Sequence, residues 1–119
     1  MLLNETGKLS RAVITRVVLP EGYRGKFILA DVSGRNIQSW TCLRSGDDWH
    51  REILRSFGEE LSDYGFENYQ IAPQGGAYAE FEQDGAITLF GSSDDFGQCD
   101  MQMAANLIEK AYPGRRVRF

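Results

Sequence analysis

The segment from Asp47 to Gly65 constrains the fold of this chain more than any other, because it has the repeat of an amphipathic helix. Asp47 or Asp48 is predicted to cap the amino end of this helix, and Gly65 is predicted to end it. A helix with one apolar face needs a sheet or another helix to cover that face. The apolar residues recur every three or four positions and are Ile53, Leu54, Phe57, Leu61 and Tyr64.

His50 is the single histidine of the sequence and falls in the first turn of this predicted helix, in line with the apolar residues. Two interpretations are open. In the first, the imidazole packs and hydrogen-bonds at the rim of a core. In the second, the partial positive charge of the helix amino end keeps the ring neutral beside a natural anion site. A neutral imidazole in that position is a suitable base or nucleophile near pH 7.

Strand patterns on both sides of the helix predict a sheet for it to pack on. Aliphatic and β-branched residues predict strands over 9–19, 26–30 and 37–43, with turns at 20–22 and 31–36. After the helix, residues 67–72 are predicted as a fourth strand that ends at 73–76. A tight hairpin is then predicted around the Asp84-Gly85 pair, with strands over 77–82 and 86–90.

A second helix is predicted over about 95–112, and Pro113-Gly114 is expected to end it. A last strand is predicted over 115–119. This order of elements is typical of an α+β fold, and we expect one domain over residues 1–119 with a mixed sheet of about six strands and two main helices packed on it. The predicted inner face of the second helix consists of Phe96, Cys99, Met103 and Leu107, widened by Ala104, Ile108 and Ala111.

Composition excludes several classes of protein. The net charge of -4 argues against a nucleic-acid-binding protein, whose contact surface is usually basic. No apolar run approaches the roughly 20 residues of a membrane span, and the amino end lacks the apolar core of a signal peptide. Cys42 and Cys99 lie in apolar contexts without metal-site spacing. We therefore expect a cytoplasmic monomer that binds neither nucleic acid nor membrane.

A second candidate anion site is the Gly91-Ser92-Ser93 sequence, which follows a predicted strand and precedes a predicted helix. Hydroxyl and backbone N–H groups at such a junction bind anions, although a serine or Asp94 there can equally cap the helix. The negative charges of Asp94 and Asp95 would repel phosphate. A third hypothesis is a divalent-ion site formed by the carboxylates of Asp47, Asp48, Asp94, Asp95 and Asp100.

Three pieces of the chain occur in the order and spacing of a known family. They are the basic and aliphatic stretch 11–17, the helix start Trp49-His50-Arg51-Glu52-Ile53, and a carboxyl-terminal part that runs from Gly75-Gly76 through 89–97 to Lys110-Ala111-Tyr112-Pro113. They resemble the Janus/Ocnus family, whose best-known member type is the small phosphohistidine phosphatase. The resemblance implies hydrolysis of the P–N bond of phosphohistidine, in a protein or a small phosphoramidate, without a metal or another cofactor.

The resemblance also implies roles for individual residues. The histidine matching His50 is the catalytic general base in that family. Arg11, Ser93 and the backbone N–H near Asp95 would surround the phosphoryl oxygens, and Arg44 is an offset counterpart of a family arginine. A hydroxyl, an amide and a cation in those places would stabilise the charge that develops during the reaction.

Besides the offset position of Arg44, the sequence departs from the family pattern in two places. Family members commonly have an arginine and a nearby histidine after the glycine pair, where this chain has Ala77-Tyr78-Ala79-Glu80. The anion loop is usually neutral, whereas this one contains Asp94 and Asp95. These departures leave a second hypothesis open, in which the chain is a catalytically weak or inactive relative that acts as a protein- or anion-binding regulatory module.

Overall fold

The structure, a computed structural model, describes residues 14–34, 37–66 and 68–119, which form one mixed sheet with two helices. This arrangement confirms the predicted α+β class. In chain order, the elements of the described residues are β1 (Val17–Val18), β2 (Arg24–Gly34), β3 (Ile37–Gly46), α1 (His50–Asp63), β4 (Tyr69–Phe81), β5 (Ile87–Phe90), α2 (Met101–Ala111) and β6 (Val117–Arg118).

The sheet carries one helix on each face. Its strand order is β1-β3-β2-β4-β5-β6, with antiparallel pairs in the centre and a parallel strand at each edge. Successive side chains of a strand point to opposite faces. Ile28 and Ala30 of β2 therefore pack with α1, whereas Phe27 and Leu29 pack with α2. The core is thus two apolar layers that share the sheet.

Several strand boundaries differ from the prediction. β2 continues to Gly34 through much of the predicted turn at 31–36, and in the predicted 9–19 strand only β1 is a strand among the described residues. The predicted fourth strand and the first hairpin strand are one strand, β4. A register shift opposite residues 28–30 lets β4 pass through the predicted break. The hairpin itself is confirmed, with Phe81 paired to Ile87.

Helix α1 has the predicted end but not the predicted start. Neither Asp47 nor Asp48 caps it; Trp49 stands at the N-cap without a side-chain hydrogen bond. At the other end Gly65 has a φ of 86°, and Phe66 N donates to Leu61 O at 3.1 Å, as in a Schellman motif. Ile53, Phe57 and Leu61 are buried as predicted, whereas Tyr64 is exposed.

Helix α2 begins at Met101, later than predicted, because the residues before it form a closed loop. Gly97 N donates to Ser93 O at 2.9 Å, so a backbone hydrogen bond closes this loop. Asp100 caps α2 by accepting from Met103 N at 3.0 Å. Leu107 is buried as predicted, but Met103 is exposed, and Phe96 and Cys99 precede the helix. In the described part of the chain, neither helix has the length and apolar character needed to cross a membrane.

Gly58 offers a test of how α1 packs on the sheet. It lies inside α1, and an added β-carbon would meet Ile71 Cδ1 at 3.7 Å, which is an ordinary contact. We expect Gly58→Ala to raise the free energy of unfolding by about 0.5–1 kcal/mol, because alanine loses less backbone entropy in a helix. Urea unfolding measures this change. In the control Gly97→Ala no atom lies within 4 Å of the added β-carbon, but the φ of 77° is strained for alanine, so stability should fall. A loss of stability at Gly58 would contradict the packing.

Candidate functional site

His50 is the first residue of α1, and its side chain is buried against β4. Its Nε2 lies 3.2 Å from the carbonyl oxygen of Ala77. A carbonyl oxygen can only accept a hydrogen bond, so in the neutral ring this contact places the hydrogen on Nε2 and the lone pair on Nδ1. The imidazole is therefore packed and oriented, and its Nδ1 has no hydrogen-bond partner among the described residues.

The glycine pair of β4 makes room for this imidazole. A β-carbon on Gly76 would lie 2.6 Å from His50 Cδ2 and 2.8 Å from Phe27 O. On Gly75, whose φ is 98°, it would lie 2.7 Å from Cys99 N. Any larger residue would push apart the three chain segments that meet here. The sequence predicted a turn at this glycine pair. In the structure β4 bulges there instead, and the bulge makes room for α1 and for the segment before α2.

The ring of Tyr78 lies close to both His50 and Lys26, and Lys26 was not predicted as a site residue. The two rings meet edge to face with centroids 5.8 Å apart, and Lys26 Nζ lies 5.9 Å from the Tyr78 centroid. Lys26 forms no ion pair with a carboxylate of the described residues. The sequence could have indicated this position. Lys26 lies two residues before Ile28 and four before Ala30, so in β2 its side chain is on the same face of the sheet as α1.

The loop from Gly91 to Gln98 is closed around Ser93. The buried Ser93 Oγ accepts hydrogen bonds from Asp95 N at 3.1 Å and from Phe96 N at 3.0 Å. The family resemblance assigns the backbone N–H near Asp95 to phosphate. In this structure the Asp95 N–H donates to Ser93 Oγ. The predicted helix amino end at this loop is absent, since α2 starts only at Met101.

Asp95 connects this loop to the amino end of α1. Its Oδ2 accepts from the backbone N–H of Arg51 at 3.1 Å, and its Oδ1 lies 3.5 Å from the Arg51 guanidinium. Asp95 thus caps α1 in the way predicted for Asp47 or Asp48, and its charge complements the helix dipole. Because Arg51 follows His50, the two predicted halves of the site lie side by side.

Residues 11–116 match the family model described as Janus/Ocnus family (Ocnus). The chain belongs to the Janus/Ocnus family. The matched range includes His50, the glycine pair of β4 and the Ser93 loop. No curated protein sequence matches the chain.

The structure does not bring every predicted phosphate ligand of this Janus/Ocnus protein to His50. Arg44 is buried, and two of its nitrogens bond the carboxylate of Glu60 at 2.8 Å each. Glu60 lies ten residues along α1 from His50, which corresponds to about 15 Å of helix. Arg44 also lies 4.4 Å above the Phe57 ring, so it belongs to the contact between β3 and α1. Arg11 lies outside the described residues.

The acidic residues of this Janus/Ocnus protein do not form the predicted divalent-ion site. No three His, Cys, Asp or Glu side chains converge within residues 14–34, 37–66 and 68–119. Asp95 is bound to Arg51, and Asp100 caps α2. The structure contradicts the third hypothesis.

The two thiols are poor candidates for a nucleophile. Cys42 and Cys99 are both buried and unpaired, in apolar layers on opposite faces of the sheet. Burial raises the pKa of the Cys99 thiol to about 11 and also raises the pKa of Cys42. Both therefore remain protonated near pH 7, and a protonated thiol is a weak nucleophile.

Proposed function

We propose that this protein is a phosphatase that hydrolyses the P–N bond of phosphohistidine, in a protein or a small phosphoramidate. The observation that carries the proposal is the contact of His50 Nε2 with Ala77 O at 3.2 Å. It holds the ring in the tautomer whose Nδ1 can accept a proton. Membership of the Janus/Ocnus family supports the proposal, because the resemblance assigns the base to this histidine.

In the proposed reaction His50 Nδ1 takes a proton from a water molecule as the water oxygen bonds to phosphorus. The P–N bond breaks, and its electron pair stays on the leaving imidazole nitrogen. The proton held by His50 then passes to that nitrogen, so that the products are phosphate and unmodified histidine. General base catalysis of this kind typically contributes about 10²–10⁴-fold to the rate.

Lys26 is the cation best placed to balance the phosphoryl charge. Its Nζ lies 5.9 Å from the centroid of the Tyr78 ring that His50 also contacts, and no described carboxylate forms an ion pair with it. Ser93 can add its hydroxyl hydrogen, because its oxygen already accepts two loop amides. Preorganised donors of this type stabilise charge that develops in the transition state. Arg11 remains a predicted ligand, whereas Arg44 would first have to leave Glu60.

The test is phosphate release from a phosphohistidine peptide by the purified protein in the presence of a chelator. We expect wild-type turnover, and we expect Lys26→Met to lower kcat/KM by about tenfold or more, since it removes the charge and keeps the apolar stem. Arg24→Met is the matched control, because Arg24 lies on the same strand and already faces Glu80 at 3.8 Å. Equal losses in both variants would contradict the role of Lys26, and no wild-type turnover would contradict the phosphatase.

A second candidate function is a regulatory module that binds a protein or an anion without turning it over. The specific observation in its favour is the Asp95 carboxylate, which already occupies the backbone N–H of Arg51 beside His50. This module would bind a phosphohistidine peptide and leave it intact. Binding measured by calorimetry, together with phosphate release over the same time, separates the two functions.

A further inference from the structure

We propose that the Asp95 carboxylate is a built-in competitor of the substrate, which occupies the position that a phosphoryl group needs at the amino end of α1. The inference rests on the proposed function. It makes Asp95 a specificity-determining residue and Arg51 a phosphoryl ligand, neither of which the family resemblance assigns. A phosphoryl group enters this site by replacing the carboxylate on Arg51.

The contacts of Asp95 are those expected of a bound anion. One oxygen accepts the Arg51 backbone N–H at 3.1 Å, and the other faces the Arg51 guanidinium at 3.5 Å. Backbone N–H groups at a helix amino end and a guanidinium are also the usual partners of phosphate. The Arg51 N–H belongs to the peptide bond that joins His50 to Arg51, so an anion bonded to it lies at the same end of α1 as His50. The carboxylate and a phosphoryl oxygen therefore compete for the same two donors.

The surroundings of Asp95 allow its side chain to leave while its backbone stays in place. Ser93 Oγ holds the amides of Asp95 and Phe96, so the loop keeps its shape without the carboxylate. The side chains of the ion pair are partly open to solvent, 59% for Arg51 and 22% for Asp95. Ion pairs with that exposure are weakly held. A dianionic phosphoryl group can replace the monoanionic carboxylate and form charge-assisted bonds to the same guanidinium.

The experiment measures binding of inorganic phosphate, by calorimetry and by the rise in melting temperature, at constant ionic strength set with sodium chloride. We expect Asp95→Asn and Asp95→Ala to lower the phosphate Kd by about tenfold or more, which corresponds to about 1.4 kcal/mol. Asp94→Asn removes the same charge from the same loop and should change the Kd by less than about twofold, because the Asp94 side chain makes no hydrogen bond or ion pair with α1 among the described residues.

A comparison of the two Asp95 variants and one added double variant keep the test decisive. Asp95→Ala also removes a helix cap, which costs about 1 kcal/mol, whereas Asp95→Asn retains an oxygen for the Arg51 N–H and so remains folded. Adding Arg51→Met to Asp95→Asn should abolish the gain in phosphate affinity. Equal gains in Asp94→Asn and Asp95→Asn would overturn the inference, as would a wild-type Kd equal to that of Asp95→Asn or the absence of phosphate binding in every variant.

Failure of this inference is distinguishable from failure of the proposed function, because phosphate binding requires no turnover. Tighter binding by Asp95→Asn with no hydrolysis in any variant would support the competitor and contradict the phosphatase. Wild-type hydrolysis with no gain in affinity in Asp95→Asn would support the phosphatase and contradict the competitor.

Discussion

Replacing His50 by glutamine is expected to lower kcat for phosphate release from phosphohistidine by at least about 100-fold, because the side chain loses the nitrogen that takes the proton from water in the proposed reaction. The glutamine amide can still donate a hydrogen bond to Ala77 O, which His50 contacts at 3.2 Å. The variant should therefore remain folded. A single-turnover assay measures the chemical step, and circular dichroism confirms that the fold is unchanged.

The alanine variant at the same position separates catalysis from packing. His50 is 4% exposed, so His50→Ala leaves a cavity beside Gly76 and should lower the free energy of unfolding as well as kcat. The glutamine variant should lose only kcat. Wild-type phosphate release by the glutamine variant would contradict the assignment of His50 as the base, and equal losses of stability in both variants would contradict the contact with Ala77.

Replacing Gly76 by alanine is expected to lower the free energy of unfolding by about 2–3 kcal/mol, which is at the upper end for an overpacked site. The added β-carbon would lie 2.8 Å from Phe27 O, an atom of the central strand β2, and 2.6 Å from His50 Cδ2. The backbone oxygen cannot move away without breaking the pairing of β2 with β4. The imidazole must shift instead, so kcat should also fall in the folded protein. Urea unfolding and phosphate release measure the two effects.

Gly46→Ala is the matched control for Gly76→Ala. Its β-carbon would be almost as crowded, at 2.9 Å from Ile53 Cγ1, but the contacted atom belongs to a side chain and not to the backbone of a neighbouring strand. We expect a smaller loss of stability and little change in kcat. Equal losses of stability in the two variants would show that the loss in Gly76→Ala does not come from the contacts with β2 and His50.

Short-range patterns account for the parts of the fold that were predicted correctly. The helical repeat around Phe57 and the glycine after α1 depend on residues within a few positions of one another, and so does the Asp84-Gly85 turn. Predictions from such patterns were wrong where pairing with a distant segment changes the local structure. The residues at 73–76 have turn chemistry, yet β2 pairs with them and extends β4 through them with a bulge.

Only part of the candidate site could be predicted from the sequence. His50 and Ser93 could be named from their places in local motifs. The cap of α1 could not, because Asp95 is 44 positions from Arg51 and nearer aspartates were equally plausible. The partner of Arg44 could not be predicted from the sequence either. Its position suggested a phosphate ligand, but Glu60, 16 positions away, binds its guanidinium.

The sequence by itself determined the fold class, α1 and its carboxyl end, the β4–β5 hairpin and the position of His50 in the first turn of α1, because periodicity and turn chemistry are properties of neighbouring residues. Only the tertiary structure decided that Nε2 of His50 contacts Ala77 O, that Lys26 and His50 lie against the same Tyr78 ring, and that Asp95 occupies the amino end of α1. Each of these depends on a contact between residues far apart in the chain, and such contacts exist only after the sheet has formed.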